Sequence, residues 1–186
     1  MTEVFIGGSR KISRLDSQLK RRIDRIIDKR IPVIVGDANG VDKAVQDYLY
    51  DKKYDFVQVF CSGHSCRNNS GGWPLRLIAV SHKKKDFSFF AAKDRAMADE
   101  ASIGLMIWDK KSIGTIINVL RMIANRKKVV LYLAPDHVFL DLKSYEDLQA
   151  LIARCPSRLR EKIKIKIELD SATKEAEKSS VEGSLF

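Results

Sequence analysis

One stretch constrains the fold more than any other: Ser102 to Asn118, which reads Ser-Ile-Gly-Leu-Met-Ile-Trp-Asp-Lys-Lys-Ser-Ile-Gly-Thr-Ile-Ile-Asn. The apolar run from Ile103 to Trp108 is short, continuous and bounded by polar residues, which is the pattern of a buried strand. Asp109-Lys110-Lys111 makes a turn, and Ser112 stands at the N-cap position ahead of Ile113, Ile116, Ile117, Leu120, Ile123 and Ala124. Those apolar residues keep helical spacing. A strand therefore ends, a short loop follows, and a helix begins with Ser, Gly and Thr in its first turn. The first N–H groups of a helix lack internal partners and carry the positive end of its dipole. Gly114 lets a ligand approach the backbone, and the Ser112 and Thr115 hydroxyls add donors, so the stretch suits an anion or phosphate. The competing reading is an ordinary capped helix after an ordinary strand.

The rest of the chain repeats this rhythm. Val4-Phe5-Ile6 runs into the turn Gly7-Gly8-Ser9-Arg10. Ser13, with Asp16 three residues on, signals a helix whose apolar face is Leu15, Leu19, Ile23, Ile26 and Ile27. Val33-Ile34-Val35 is a second strand, ending in Gly36-Asp37-Ala38-Asn39-Gly40-Val41-Asp42, where Asn39 suits the cap of the next helix. Phe56–Phe60 is a third strand, Phe89–Ala101 a helix, and Val129–Leu133 a fifth strand. Ser144 with Asp147 starts a last short helix that Pro156 ends. The expected fold is α/β: a Rossmann-like parallel sheet of about five strands with helices on both faces, spanning residues 1–155. Residues 156–186 form a short C-terminal extension. Within it Lys162–Leu169 alternates lysine and apolar residues like an edge strand, and the remainder, from Asp170, has the composition of a disordered tail. Residues 61–87 form a long loop, inside which Leu75–Val80 makes a short element.

Composition narrows the function classes. The formal charge of +10 points to a phosphate-bearing partner, either a nucleotide-derived small molecule or nucleic acid, against the plainer reading of solvated basic helix faces. No apolar run is long enough to span a membrane, and the N-terminus shows no signal-peptide pattern. Three cysteines, an odd number, favour a reducing cytoplasm. Cys61, His64, Cys66 and His82 lack the usual zinc spacing, so neither a metal nor a cofactor is expected, and Cys61 reads as buried with Cys66 exposed. Self-association is left open.

Four motifs in order carry a resemblance: Ile6-Gly-Gly-Ser-Arg10, Gly36-Asp-Ala-Asn-Gly-Val-Asp42, Lys93-Asp-Arg-Ala-Met97 and Trp108-Asp-Lys-Lys-Ser-Ile-Gly-Thr115. Over about residues 2–134 the chain resembles the SLOG superfamily, named for the Smf/DprA proteins and the LOG cytokinin-activating hydrolases, and within it the YspA/YpsA-like branch. The resemblance implies a nucleotide or nucleotide-derived ligand over the strand C-termini. It assigns Gly7, Gly8, Ser9 and Arg10 to the first loop, Gly36, Asp37, Gly40 and Asp42 to the second, and Ser112, Gly114 and Thr115 to the phosphate loop. Lys93, with Arg95 close by, stands where the LOG hydrolases carry an arginine, and Asn118 stands where they carry a catalytic glutamate. An amide cannot act as a general base, so hydrolysis of a base–ribose bond is weakened here. Asp37, Asp42 and Lys93 are the remaining catalytic candidates, with turn ordering and helix-start electrostatics the competing roles of the two aspartates. Trp108 suits stacking on a base or burial at the strand end, and Trp73, on a Gly-Gly-Trp-Pro turn, suits a ligand or partner contact. Two functions follow: a ligand sensor or N-glycosidic-bond enzyme built on this site, or a DprA-like nucleic-acid-binding module using the basic patches around 21–30, 83–85 and 154–166.

Overall fold

The computed structural model describes residues 2–80 and 86–182, with side chains placed as far as residue 171. Lys83–Lys85 lie outside the described residues. The elements run β1 (Val4–Gly8), α1 (Ser17–Asp28), β2 (Val33–Gly36), α2 (Val41–Asp51), β3 (Val57–Ser62), β4 (Leu75–Ile78), α3 (Phe87–Glu100), β5 (Ile103–Trp108), α4 (Ile113–Ala124), β6 (Lys128–Leu133), β7 (Val138–Leu142), α5 (Tyr145–Ala153) and α6 (Ser157–Glu182). The sheet order is β4-β3-β2-β1-β5-β6-β7. All neighbours pair in parallel except β6 and β7. The architecture is the Rossmann-like α/β sheet expected, with seven strands where about five were read. β4 comes from the short element inside the long loop, and β7 had no counterpart in the sequence reading. Both are edges, and β4 is largely exposed, so neither shows the continuous apolar run that marks a central strand.

Strand alternation divides the core. Val4, Ile6, Val33, Val35, Val59 and Leu105 face one side and pack under α1 and α2 through Leu19, Ile23, Val41, Val45 and Leu49. Phe5, Ile34, Phe60, Met106 and Trp108 face the other side and pack under α3, α4, α5 and α6 through Met97, Ile116, Val119, Leu148 and Ile163. The helix starts differ in detail from expectation. Asp16, and not Ser13, caps α1, accepting the N–H groups of Gln18 and Leu19 at 2.9 and 3.0 Å. Gly40 precedes α2 in place of Asn39, at φ +87°, with its Cα against the Arg10 backbone where a Cβ would sit 2.4 Å from another atom. Ser144 and Asp147 form the capping box anticipated for α5.

Asp16 also accepts a hydrogen bond from the Tyr132 hydroxyl of β6. Burial pushes this carboxyl up, yet Tyr132 and the α1 N–H groups outweigh it and hold it below its usual value. Tyr132→Phe removes the donor and should cost about 1 kcal/mol in urea unfolding at neutral pH. An unchanged midpoint would show that His137, 3.2 Å from the same carboxylate oxygen, replaces the lost bond.

The C-terminal extension corrects the sequence reading. Residues 162–169 are not an edge strand but lie within α6, and the helix continues through Glu182, past the point where disorder was expected. An alternation of period two contains the spacing i, i+4, so Leu159, Ile163 and Ile167 also form one helical stripe. That stripe packs into the core beside α4 and α5, and Ile163 is fully buried. The intervening Ile165 and Leu169 are about half exposed.

Candidate functional site

The strand order reverses between β1 and β5, and a crevice of about 710 Å³ opens outside their C-terminal ends. Ligands of open α/β sheets bind at this switch point, and the volume lies within the range of ligand clefts. Two backbone features shape it. Gly8 lies so close to β5 that a Cβ would sit 2.2 Å from the Ile107 carbonyl oxygen. The fully buried Ser9 then turns the chain, donating its hydroxyl to Asp109 at 2.8 Å. Asp109 in turn accepts the N–H groups of Lys111 and Ser112 at 3.0 and 2.7 Å, with Lys110 at φ 58° completing the turn. Burial would raise the Asp109 carboxyl, but these hydrogen bonds hold it below the ordinary carboxylate range. One carboxylate thus ties the β1 loop to the start of α4.

At that start no side chain caps the helix. Thr115 donates its hydroxyl to Ser112 at 3.0 Å, so Ser112 keeps its own proton for another acceptor. Ser112, Gly114 and Thr115 all line the crevice, and a Cβ on Gly114 would meet nothing within 4 Å. Arg10, Lys11 and Lys111 stand around it, and no carboxylate among the described residues pairs with them.

The floor is charged but self-neutralised. Buried Lys93 of α3 lies 2.7 Å from Asp94, 3.8 Å from Asp42 and 4.0 Å from Asp37. Burial lowers the Lys93 ammonium, but Asp94, Asp42 and Asp37 outweigh it and raise it above its ordinary value, so it stays charged. Burial likewise works against the Asp94 charge, yet Lys93 and Arg121 hold that carboxyl below its usual range. Asp42 behaves differently. Burial pushes it up to about 6, Lys93 opposes this, and Asp94 and Asp37 add to it. Its Oδ2 accepts the Ala38 N–H at 3.2 Å. Gly36 leaves the space for this cluster, since a Cβ there would sit 2.4 Å from Asp42 and 2.6 Å from the Lys93 nitrogen. One floor carboxylate is therefore held ionised and another sits near neutrality, the split that acid–base chemistry uses.

Of the residues anticipated from the sequence, Gly7, Gly8, Ser9, Arg10, Asp42, Lys93, Ser112, Gly114 and Thr115 line the crevice together. Gly36 and Gly40 support it from behind. Asp37 does not reach it: Arg67 grips its carboxylate through Nε at 3.0 Å and Nη2 at 2.5 Å, and that ion pair overrides burial and keeps it ionised. Arg95 turns away to Asp170 of α6 at 3.3 Å. Trp108 is buried at the strand end and donates its indole N–H to the Ser112 carbonyl at 2.9 Å, fixing the β5–α4 turn. Trp73 is buried as well, its indole N–H on the Tyr54 carbonyl at 3.0 Å, so the exposed contact expected of it is not available. Cys61 is buried as expected, whereas Cys66 is half-buried and not exposed, and the two form a disulfide. Among the described residues no helix is long and apolar enough to cross a membrane.

Sequence reasoning missed Asp94, Asp109, Phe87, Phe90 and Lys166, all of which line the crevice. Asp94 and Asp109 each stand beside a residue already singled out, and the helical period of α3 puts Phe87, Phe90 and Asp94 on one face. Lys166 carried no such signal. No family model, curated protein or solved structure matches this chain.

Proposed function

We propose that the crevice binds a nucleotide or nucleotide-derived ligand, with its phosphate against the start of α4 and the Gly8-Ser9-Arg10 turn. The observation that carries this reading is the contrast in charge. Floor charges are paired with one another, whereas Arg10, Lys11 and Lys111 surround an uncapped helix N-terminus with no carboxylate partner among the described residues. An anionic group satisfies both the free N–H groups and the rim cations. Phe90, with the Arg10 and Arg67 guanidinium carbons 5.2 and 4.5 Å from its ring centroid, supplies apolar surface for the rest of the ligand. The order and spacing of the four motifs support membership of the SLOG superfamily and a cytoplasmic protein of that kind. Isothermal titration with AMP, together with mass spectrometry of what co-purifies with the protein, tests the reading. Absence of both AMP binding and a co-purifying nucleotide would overturn it.

Whether the protein senses the ligand or cleaves it turns on the carboxylates. Asn118 offers none at its own position, although its amide donates to Asp94 at 3.3 Å. Release of adenine from AMP, followed by chromatography, should be far below the ~10 per second of an ordinary enzyme. Turnover at that rate would make Asp42 and Asp94 the groups to substitute. The nucleic-acid reading has one observation in its favour: Arg21, Arg22 and Arg25 of α1 line a shallow depression with Phe139. Binding there would rest on phosphate contacts alone, so with six or more of them affinity should fall about 10³-fold between roughly 50 and 200 mM salt. Sequence-selective binding that persists at the higher salt would favour that reading over the first.

A further inference from the structure

We propose that Lys166 of α6 contacts the anionic part of the ligand, so that the C-terminal helix forms one wall of the binding site. This rests on the reading of the crevice as a phosphate-bearing ligand's site, and it adds a residue from a segment that the sequence sets apart from the nucleotide-binding domain.

Three observations converge on it. Lys166 lines the crevice together with Phe87 and Phe90, and its ammonium lies 3.3 Å from the Phe87 ring centroid. An aromatic face attracts a cation without neutralising it, and no carboxylate among the described residues pairs with Lys166. Its charge and its N–H donors therefore remain available within the crevice.

The helix is also held in place for this purpose. One turn beyond Lys166, Asp170 accepts from Arg121 of α4 at 2.5 and 3.1 Å and from Arg95 of α3 at 3.3 Å. Arg121 donates in addition to the Asn118 side-chain oxygen Oδ1 at 2.6 Å, and the Asn118 side-chain NH2 donates to Asp94 on the crevice floor. A continuous polar chain thus joins the floor to α6, with Ile163 buried against the core one turn before Lys166. Both arginine side chains are nearly buried, so an acidic partner at position 170 is strongly favoured. Asp170 is a positioning residue, and Lys166 is the group that touches the ligand.

The test is calorimetric titration of AMP and ADP into the full chain and its variants. Lys166→Gln should weaken binding about tenfold or more, the scale of a charge-assisted hydrogen bond, and Lys166→Glu further still. Lys166→Arg should restore most of the affinity. Lys162→Glu makes the same change of net charge as Lys166→Glu, one turn earlier at an exposed position outside the crevice, and should alter binding less than about twofold. Asp170→Asn should weaken binding and also speed amide hydrogen exchange along α6, whereas Lys166→Gln should leave that exchange unchanged. If wild type binds AMP or ADP and Lys166→Gln binds equally well, α6 is packing only and the inference falls while the nucleotide reading stands. If wild type binds neither nucleotide and no nucleotide co-purifies with it, both fall together.

Discussion

Gly114→Asp should abolish most AMP binding, by roughly 100-fold or more, and leave the fold intact. Gly114 lies in the first turn of α4 and lines the crevice, and a Cβ placed on it meets no atom within 4 Å. The added side chain therefore projects into free space and not into the core. Aspartate in a first turn suits the helix dipole by about 0.3–1 kcal/mol, so the melting temperature should hold or rise slightly. For the ligand the consequences are the reverse. A carboxylate occupies the volume where phosphate approaches the N–H groups, and two like charges meet at a site whose ligand is already partly desolvated. A mismatch of this kind costs about 3–5 kcal/mol, and every 1.4 kcal/mol is tenfold in affinity. Calorimetry with AMP beside a thermal melt separates binding from stability. Unaltered binding in a normally melting variant would remove the phosphate seat from the start of α4.

Asp42→Asn should make the protein more stable at pH 8, by up to about 3 kcal/mol, and the gain should fall to about half of that near pH 5 and vanish below about pH 4. The cause is the burial of a carboxyl, which pushes its pKa up to about 6 from an ordinary value of 3.8. A gap of about two pH units corresponds to about 3 kcal/mol. Because the folded protein holds this proton more tightly than the unfolded chain does, the group favours folding as pH falls through 6. Above 6 it is a charge kept in a buried site at a cost. The groups that face it are Lys93, Asp94 and Asp37, with the Ala38 N–H on Oδ2. Asparagine can accept that N–H, and Lys93 retains Asp94 at 2.7 Å, so the substitution leaves no cation stranded. Urea unfolding of both proteins at pH 5 and pH 8 reads the difference directly. A variant less stable than wild type at pH 8 would mean that attraction to Lys93 exceeds the burial penalty. A natural residue that lowers stability at its own crevice is common where function has shaped the site.

The elements that the sequence by itself determined are those whose signal is local. A buried parallel strand declares itself as a run such as Ile103–Trp108, and a capped amphipathic helix declares itself through residues a few positions apart. The loops Gly7–Arg10 and Ser112–Thr115 follow, because a strand that ends beside a helix start needs small residues and donors whatever the rest of the chain does. Their meeting at one crevice was implied by a parallel sheet, where such loops all emerge at the same edge.

Only the tertiary structure decided which polar residues face that crevice. Asp37 and Asp42 stand only five positions apart, the first on the loop after β2 and the second in the first turn of α2, yet Arg67 takes the first out of the site and Lys93 holds the second in it. Trp73 and Trp108 carry a polar N–H that permits either exposure or burial, and the carbonyls of Tyr54 and Ser112 settled the choice. The largest difference lies in α6. Its alternating lysines and isoleucines satisfy a strand and a helix equally, because every fourth residue lies on one face in both. The choice was made by partners distant in sequence: the core that receives Ile163, and Arg121, which meets Asp170 across a separation of 49 residues. Contacts of that range leave no period in the chain, and they place Lys166 at the crevice.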